Sequence, residues 1–145
     1  MAAGRRPTFQ DCNCLAVRQA ARHVTQLYDR CLAPAGLRTT QFSILARLKR
    51  LGPMTINALA ADMVMDRTTL GRNILPLERD GLITIVPGAD RRSKELQLTA
   101  AGAERLRAAL DGWTAAQARF ESAFGKRRAA DMRAMLREVA ETSLD

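Results

Sequence analysis

Histidine is nearly absent from this sequence: there is one, His23, in 145 residues. That leaves most acid–base schemes without a player. There is also no glycine-rich phosphate loop and no serine or cysteine nucleophile with a partnered histidine. The three cysteines, Cys12, Cys14 and Cys31, have only His23 nearby and do not stand at zinc spacing. The expectation is a protein that is not an enzyme and that needs no metal or cofactor. Long apolar runs are missing too. No stretch reaches the roughly 18 apolar residues that would span a membrane, and MAAGRRPTFQD lacks the apolar centre of a signal peptide. Both absences predict a cytoplasmic chain with mostly reduced thiols. Aromatic residues make up only 4% of the sequence, whereas alanine and leucine dominate an apolar share of 47%. That balance favours helix over sheet and provides for a core. The predicted fold class is mainly α with one small sheet.

What is present is positive charge. The net charge of +8 suits a polyanionic partner. Residues 1–54 hold nine Lys/Arg against two Asp/Glu, whereas residues 63–98 hold six against five. Any nucleic-acid reader in the second stretch therefore works through aimed side chains and not through bulk charge.

Periodicity and punctuation divide the chain. Residues 1–10 read as a flexible basic tail and residues 11–145 as a single domain. A first helix is expected from about Asp11 to Leu32, with Leu15, Ala20, Val24, Leu27 and Cys31 at helical spacing, stopped by Pro34 and Gly36. Thr39 or Thr40 is expected to cap a second helix that ends at Gly52-Pro53, with Phe42, Leu45 and Leu48 on its apolar side. Its Arg47, Lys49 and Arg50 are left for solvent or phosphate. Thr55 caps a short helix, INALAADM. A break at Val64-Met65 follows, and Asp66 then caps RTTLGRNILPLERD, which Gly81 ends. In that helix Leu70, Ile74, Leu75 and Leu77 are expected in the core, and Pro76 is expected to bend the C-terminal part. LITIV and KELQLT pair as strands around a turn of Pro87, Gly88, Ala89 and Asp90. Thr99 caps a long helix carrying Leu106, Leu110, Trp113, Gln117, Phe120 and Phe124. Gly125 interrupts it, and a last helix carries Met132, Met135, Leu136 and Val139.

Two short helices followed by an arginine-bearing hairpin form the layout of a winged helix-turn-helix, here over residues 36–99. The flanking helices, 11–35 and 100–145, hold more apolar surface than that lobe can cover. They are expected to form a homodimer around a two-fold axis, although the same helices could simply pack on each other within one chain. In the reader, Arg67, Thr68, Thr69 and Arg72 stand in the first turns of the second helix, where a recognition helix meets base edges in the major groove. Arg72 can grip guanine with both arms. Thr68 and Thr69 can bond phosphate or touch a thymine methyl. In the wing, Asp90 is expected to hold the Arg92 guanidinium in one pose for the narrow minor groove. Arg91 and Lys94 would take flanking phosphates. The plainer alternatives are a solvated amphipathic helix and a hairpin tip made soluble by its charges.

These residues resemble the multiple-antibiotic-resistance regulator (MarR) family. The resemblance covers about residues 11–141. Its cues are LRTTQFSILARL, DRTTLGRNILPLERDGLI and DRRSKELQLTAAG, the last containing the family's Asp-x-Arg and Leu-Thr-x-x-Gly at Asp90, Arg92, Leu98, Thr99 and Gly102. The resemblance implies an obligate homodimer whose winged helices bind double-stranded DNA at two successive major grooves of a pseudo-palindromic operator. It also implies a repressor that lets go when a small phenolic or lipophilic effector binds between the dimer helices and the DNA lobe. In the family's organic-hydroperoxide regulators a reactive cysteine lies near the start of the first helix. Counted back from Gln41-Phe42, Cys14 falls on that place and Tyr28 on one supporting tyrosine, whereas Thr39 stands where the second would be. The helix N-terminus and Arg18 would favour a Cys14 thiolate, and an apolar interface would oppose it. Cys14, Arg18, Tyr28 and Phe42 thus form a candidate redox or ligand pocket, with Cys14 either an oxidant sensor or plain packing and pocket lining. Cys14 and Cys31 cannot pair within a chain, because 17 residues of helix separate them by about 25 Å. The remaining rival is a winged module that binds protein and not DNA. Such a module would lack a steep salt dependence.

Overall fold

The structure, a computed structural model, describes residues 4–90 and 92–145. Six helices and three strands follow one another as α1 (Asn13–Leu32), α2 (Thr39–Leu51), β1 (Met54–Thr55), α3 (Ile56–Asp62), α4 (Arg67–Arg79), β2 (Ile83–Pro87), β3 (Lys94–Leu98), α5 (Ala100–Phe124) and α6 (Lys126–Glu141). The fold is mainly helical with a small antiparallel sheet, in the order β1-β3-β2. The β2–β3 hairpin sets Ile85 opposite Leu96 and Pro87 opposite Lys94. The strand β1 was not expected. It has only two residues, too few for an alternating pattern to show, and it exists because Met54 and Thr55 pair with Leu96 and Glu95 on the free edge of β3.

One apolar core holds the elements from α1 to α5 together. Leu32, Ile44, Leu45, Leu59, Leu70, Leu77, Ile83 and Leu96 are fully buried in it, each removing roughly 2 kcal/mol worth of side chain from water. Four helix starts are set by local chemistry. Cys12, Thr55, Asp66 and Thr99 accept backbone N–H groups of Leu15, Ala58, Thr69 and Gly102 respectively. Thr99 does more than cap α5. Its hydroxyl donates to the Gly81 carbonyl at 2.7 Å, and its N–H reaches the Leu82 carbonyl at 3.2 Å. The long helix is thereby pinned to the end of α4 and the root of the wing. Gly102 is required at this joint, because a Cβ there would overlap the Leu82 carbonyl oxygen. Gly112 plays the same part where α5 crosses α1, against the Cys31 carbonyl.

Several expectations fail in detail. The first helix begins at Asn13, and residues Phe9–Asp11 form a 3-10 turn that Asp11 closes by accepting the Thr8 N–H at 2.7 Å. Thr39 is the first helical residue of α2 and not its cap. Its N–H and hydroxyl both donate to Asp29 of α1, at 2.8 and 2.7 Å. The cap residue is Arg38, whose N–H is taken by Gln41 at 3.0 Å. Arg47 is not left to solvent but forms an ion pair with Asp62 of α3. Leu75, placed in the core by the sequence, is 66% exposed on the outer side of α4. The reason is angular: at about 100° per residue, Ile74 and Leu77 face the core and Leu75 turns away.

The N-terminal two thirds of α1 and nearly all of α6 are exposed, including Leu15, Val17, Met135, Leu136 and Val139. No helix among the described residues is long and apolar enough to cross a membrane.

Candidate nucleic-acid interface

The reader is built from α3, a tight turn and α4. In the turn, Val64 takes a left-handed backbone at φ 51°, a conformation that β-branched residues rarely adopt. The chain thereby reverses in two residues, and Asp66 is placed at the start of α4. The Asp66 carboxylate accepts the Thr69 N–H at 2.8 Å and the Thr69 hydroxyl at 2.6 Å. These bonds, that from the Thr69 hydroxyl first, hold Asp66 below its ordinary pKa of 3.8. The Thr69 hydroxyl proton is therefore committed to the cap, which corrects the expectation that it is free for phosphate. Arg67, Thr68 and Arg72 are exposed, and their side chains make no hydrogen bond or ion pair with other described residues. Asn73, one turn on, is tied back to the Thr69 carbonyl at 2.9 Å.

The described residues of the wing are tied to one another by hydrogen bonds. Gly88 N–H donates to the Ser93 carbonyl, and Ser93 N–H donates to the Asp90 carbonyl, each at 2.9 Å. The Ser93 hydroxyl donates to the same Asp90 carbonyl at 2.9 Å. The Asp90 carboxylate accepts the backbone N–H of Arg92 at 3.2 Å and makes no ion pair with its guanidinium. The expected carboxylate–guanidinium clasp is thus replaced by an Asx turn that shapes the loop and leaves the Arg92 side chain exposed. Arg91, the expected phosphate contact, lies outside the described residues.

Folding brings the reader and the wing to one cleft. Thr55, Ile56 and Asn57 of the β1–α3 junction, Arg67 of α4, and Asp90, Arg92, Ser93 and Lys94 of the wing line it together. The sequence showed Arg67, Arg92 and Lys94 as separate features. It offered no signal for Asn57 beyond its place next to the Thr55 cap.

The candidate sensor residues are divided. Tyr28 and Phe42 line a pocket with Thr39, Ser43, Ala46, Arg47, Leu110 and Trp113, between α1, α2 and α5. Phe42 stacks on Trp113 at 6.1 Å between ring centroids. The Tyr28 hydroxyl donates to Gln117. Desolvation, then the nearby Glu121 carboxylate, push the phenol above its ordinary pKa, while Arg133 opposes them. Cys14 and Arg18 are not at this pocket. They are exposed near the start of α1, and Cys14 lies about 21 Å of helix from Tyr28. Cys12 is not helical: it is the N-cap, and its sulfur accepts the Leu15 N–H at 3.4 Å. No group of three or more His, Cys, Asp or Glu stands at metal-binding distance among the described residues.

Residues 37–94 match the sequence pattern of the MarR family. MosR, a transcriptional regulator of M. tuberculosis with a crystal structure in complex with DNA, is 38% identical. The likeness covers 90% of this chain and 99% of that one at a TM-score of 0.75. The HTH-type transcriptional regulator YwoH of Bacillus subtilis is 32% identical over 83 residues, which span 57% of this chain and 61% of that protein. BpsR of Bordetella bronchiseptica, whose DNA binding is regulated by 6-hydroxynicotinic acid, shares the fold at a TM-score of 0.84. That likeness covers 96% of this chain and all of that one at 16% identity, a likeness of fold alone.

Proposed function

The chain belongs to the MarR family of DNA-binding transcription regulators, and from that footing we propose that it acts as a cytoplasmic homodimeric repressor on a pseudo-palindromic operator. Arg67, Thr68 and Arg72 of α4 read the major groove, and Thr69 contributes its methyl while its hydroxyl holds the cap. Arg92 enters the minor groove, with Arg91 and Lys94 on flanking phosphates and Asp90 holding the loop. The observation that carries this reading is the cleft in which Arg67, Arg92 and Lys94 converge from helix and wing. The exposed apolar residues of α1 and α6 support a second copy as partner, since side chains such as Leu136 and Val139 would otherwise face water. The two half-sites then lie about 10 base pairs apart, one helical turn.

Release follows from a small lipophilic or phenolic ligand in the pocket of Tyr28, Phe42 and Trp113. That pocket lies where α2 meets α1 and α5, so its occupation changes the spacing of the two recognition helices and lowers DNA affinity by population shift. A second reading rests on the exposure of Cys14 and Cys12 at the open end of α1: oxidation of Cys14 would release DNA instead. Peroxide treatment of wild type and Cys14→Ser separates the two, because equal release from both removes the thiol mechanism.

The principal test is DNA affinity against salt. Neutralised phosphates release counterions, so affinity falls steeply as salt rises. Arg92→Ala is expected to weaken binding by about 1–3 kcal/mol while leaving the sedimentation of the dimer unchanged. Binding equally tight at low and high salt would point to a protein-interaction module and overturn the reading.

A further inference from the structure

In B-DNA a major groove and the adjacent minor groove are separated by one sugar–phosphate strand. A protein that sets a helix in the first and a wing in the second must face that strand with the surface between them. In this chain that surface is the cleft of the β1–α3 junction, and the exposed Asn57 is among the residues that line it. The Asn57 amide makes no hydrogen bond with any described residue. The guanidinium-bearing Arg67 and Arg92 and the ammonium-bearing Lys94 line the same cleft. The one carboxylate in the cleft is that of Asp90, and it is turned to the Arg92 backbone N–H. An uncharged amide with two free donors, in a cleft that three cations also line, matches a tetrahedral phosphate anion that presents several acceptor oxygens.

We infer that Asn57, in the cleft whose rim Arg67, Arg92 and Lys94 also line, holds the DNA backbone phosphate that lies between the groove read by α4 and the groove entered by the wing. This rests on the reading of the chain as a DNA binder and adds a contact outside both reading elements. Its role is to fix register. A phosphate gripped between helix and wing sets how deep each enters its groove and carries no base preference of its own.

The test exploits a difference in sign. Asn57 is the second residue of α3, a position where a carboxylate is favourable to the helix and an ammonium is not. Asn57→Asp should therefore melt at or above the wild-type temperature. On a fluorescein-labelled duplex of arbitrary sequence at low salt, the same variant should bind on the order of tenfold more weakly, because a carboxylate replaces a donor beside the phosphate. Asn57→Lys should melt at or below the wild-type temperature yet bind more tightly, with the log–log salt slope steeper by about one.

Opposite shifts in folding and binding for the two variants are the expected result, and lost folding cannot produce them. If both variants bind as wild type does, or if both bind more weakly, the phosphate contact at Asn57 is overturned while a steep wild-type salt dependence preserves the DNA-binding reading. If wild type itself shows no salt-dependent binding, that reading falls first and the phosphate contact falls with it.

Discussion

Asp66 holds Thr69 by two bonds, one from its N–H at 2.8 Å and one from its hydroxyl at 2.6 Å, so the first turn of the recognition helix is closed by its own cap. The pairing decides which of two adjacent threonines is available. Thr68 keeps a free hydroxyl at the surface, and Thr69 has its proton committed.

The cap makes the helix start sensitive to acid. Hydrogen bonds from Thr69 lower the Asp66 pKa in the folded chain relative to its ordinary 3.8. A lowered carboxylate pKa adds stability above the unfolded value, and that stability disappears as pH falls from about 3.8 through the folded pKa. Thermal melts of wild type and Asp66→Asn should differ at neutral pH, with wild type higher, and should converge below the folded pKa. A constant gap across that range would show that the charge of Asp66 does not stabilise the cap.

Gly102 should tolerate no side chain. Gly102→Ala forces a methyl against the Leu82 carbonyl oxygen, where backbone and not a flexible side chain must yield. The expected loss is about 1–3 kcal/mol in denaturant unfolding, as for overpacked interiors. An unchanged midpoint would mean that α5 can lift from the wing root without loss.

The Arg47–Asp62 pair links the helix at the pocket to the first helix of the reader, but its two side chains remain 35% and 32% exposed. Solvent screening limits such a pair to roughly 0.2–1 kcal/mol. A double-mutant cycle of Arg47→Ala and Asp62→Ala on thermal unfolding should return a coupling in that range. A coupling several times larger would reveal a stiffer α2–α3 joint than an exposed ion pair can supply.

Val64 is 74% exposed and sits at φ 51°, so its side chain contributes little packing while its backbone is strained. Val64→Asn should relieve about 1 kcal/mol of that strain and raise the melting temperature without a change in DNA affinity. A drop in stability would indicate that the valine packs at the turn after all.

Much of the reader was legible in residue order because its controls are local. Thr55, Asp66 and Thr99 cap their helices by reaching three residues ahead, and Gly81 ends α4 by taking φ 72°. Such contacts close within a few residues, so neither needs the rest of the fold. The hairpin strands were legible for the same reason, their apolar runs being bracketed by Pro87, Gly88 and Asp90.

What remained was settled by residues that are far apart in the chain. Met54 and Thr55 become a strand only because the edge of β3 passes beside them. Thr39 loses its capping role because Asp29, ten residues earlier, lies within reach, and Arg47 finds Asp62 across two elements. Leu75 is apolar and adjacent to the buried Ile74, yet only the packing of α4 on the sheet and on α2 decides which of the two meets water. Asn57 belongs with these. Its composition and position say nothing alone, and it becomes a candidate contact only when the wing folds back to complete the cationic cleft that it lines. Sequence alone thus determined where α3, α4 and α5 start, because hydrogen bonds between near neighbours specify them. The tertiary structure decided which side chains share a site, because that depends on which distant backbone comes alongside.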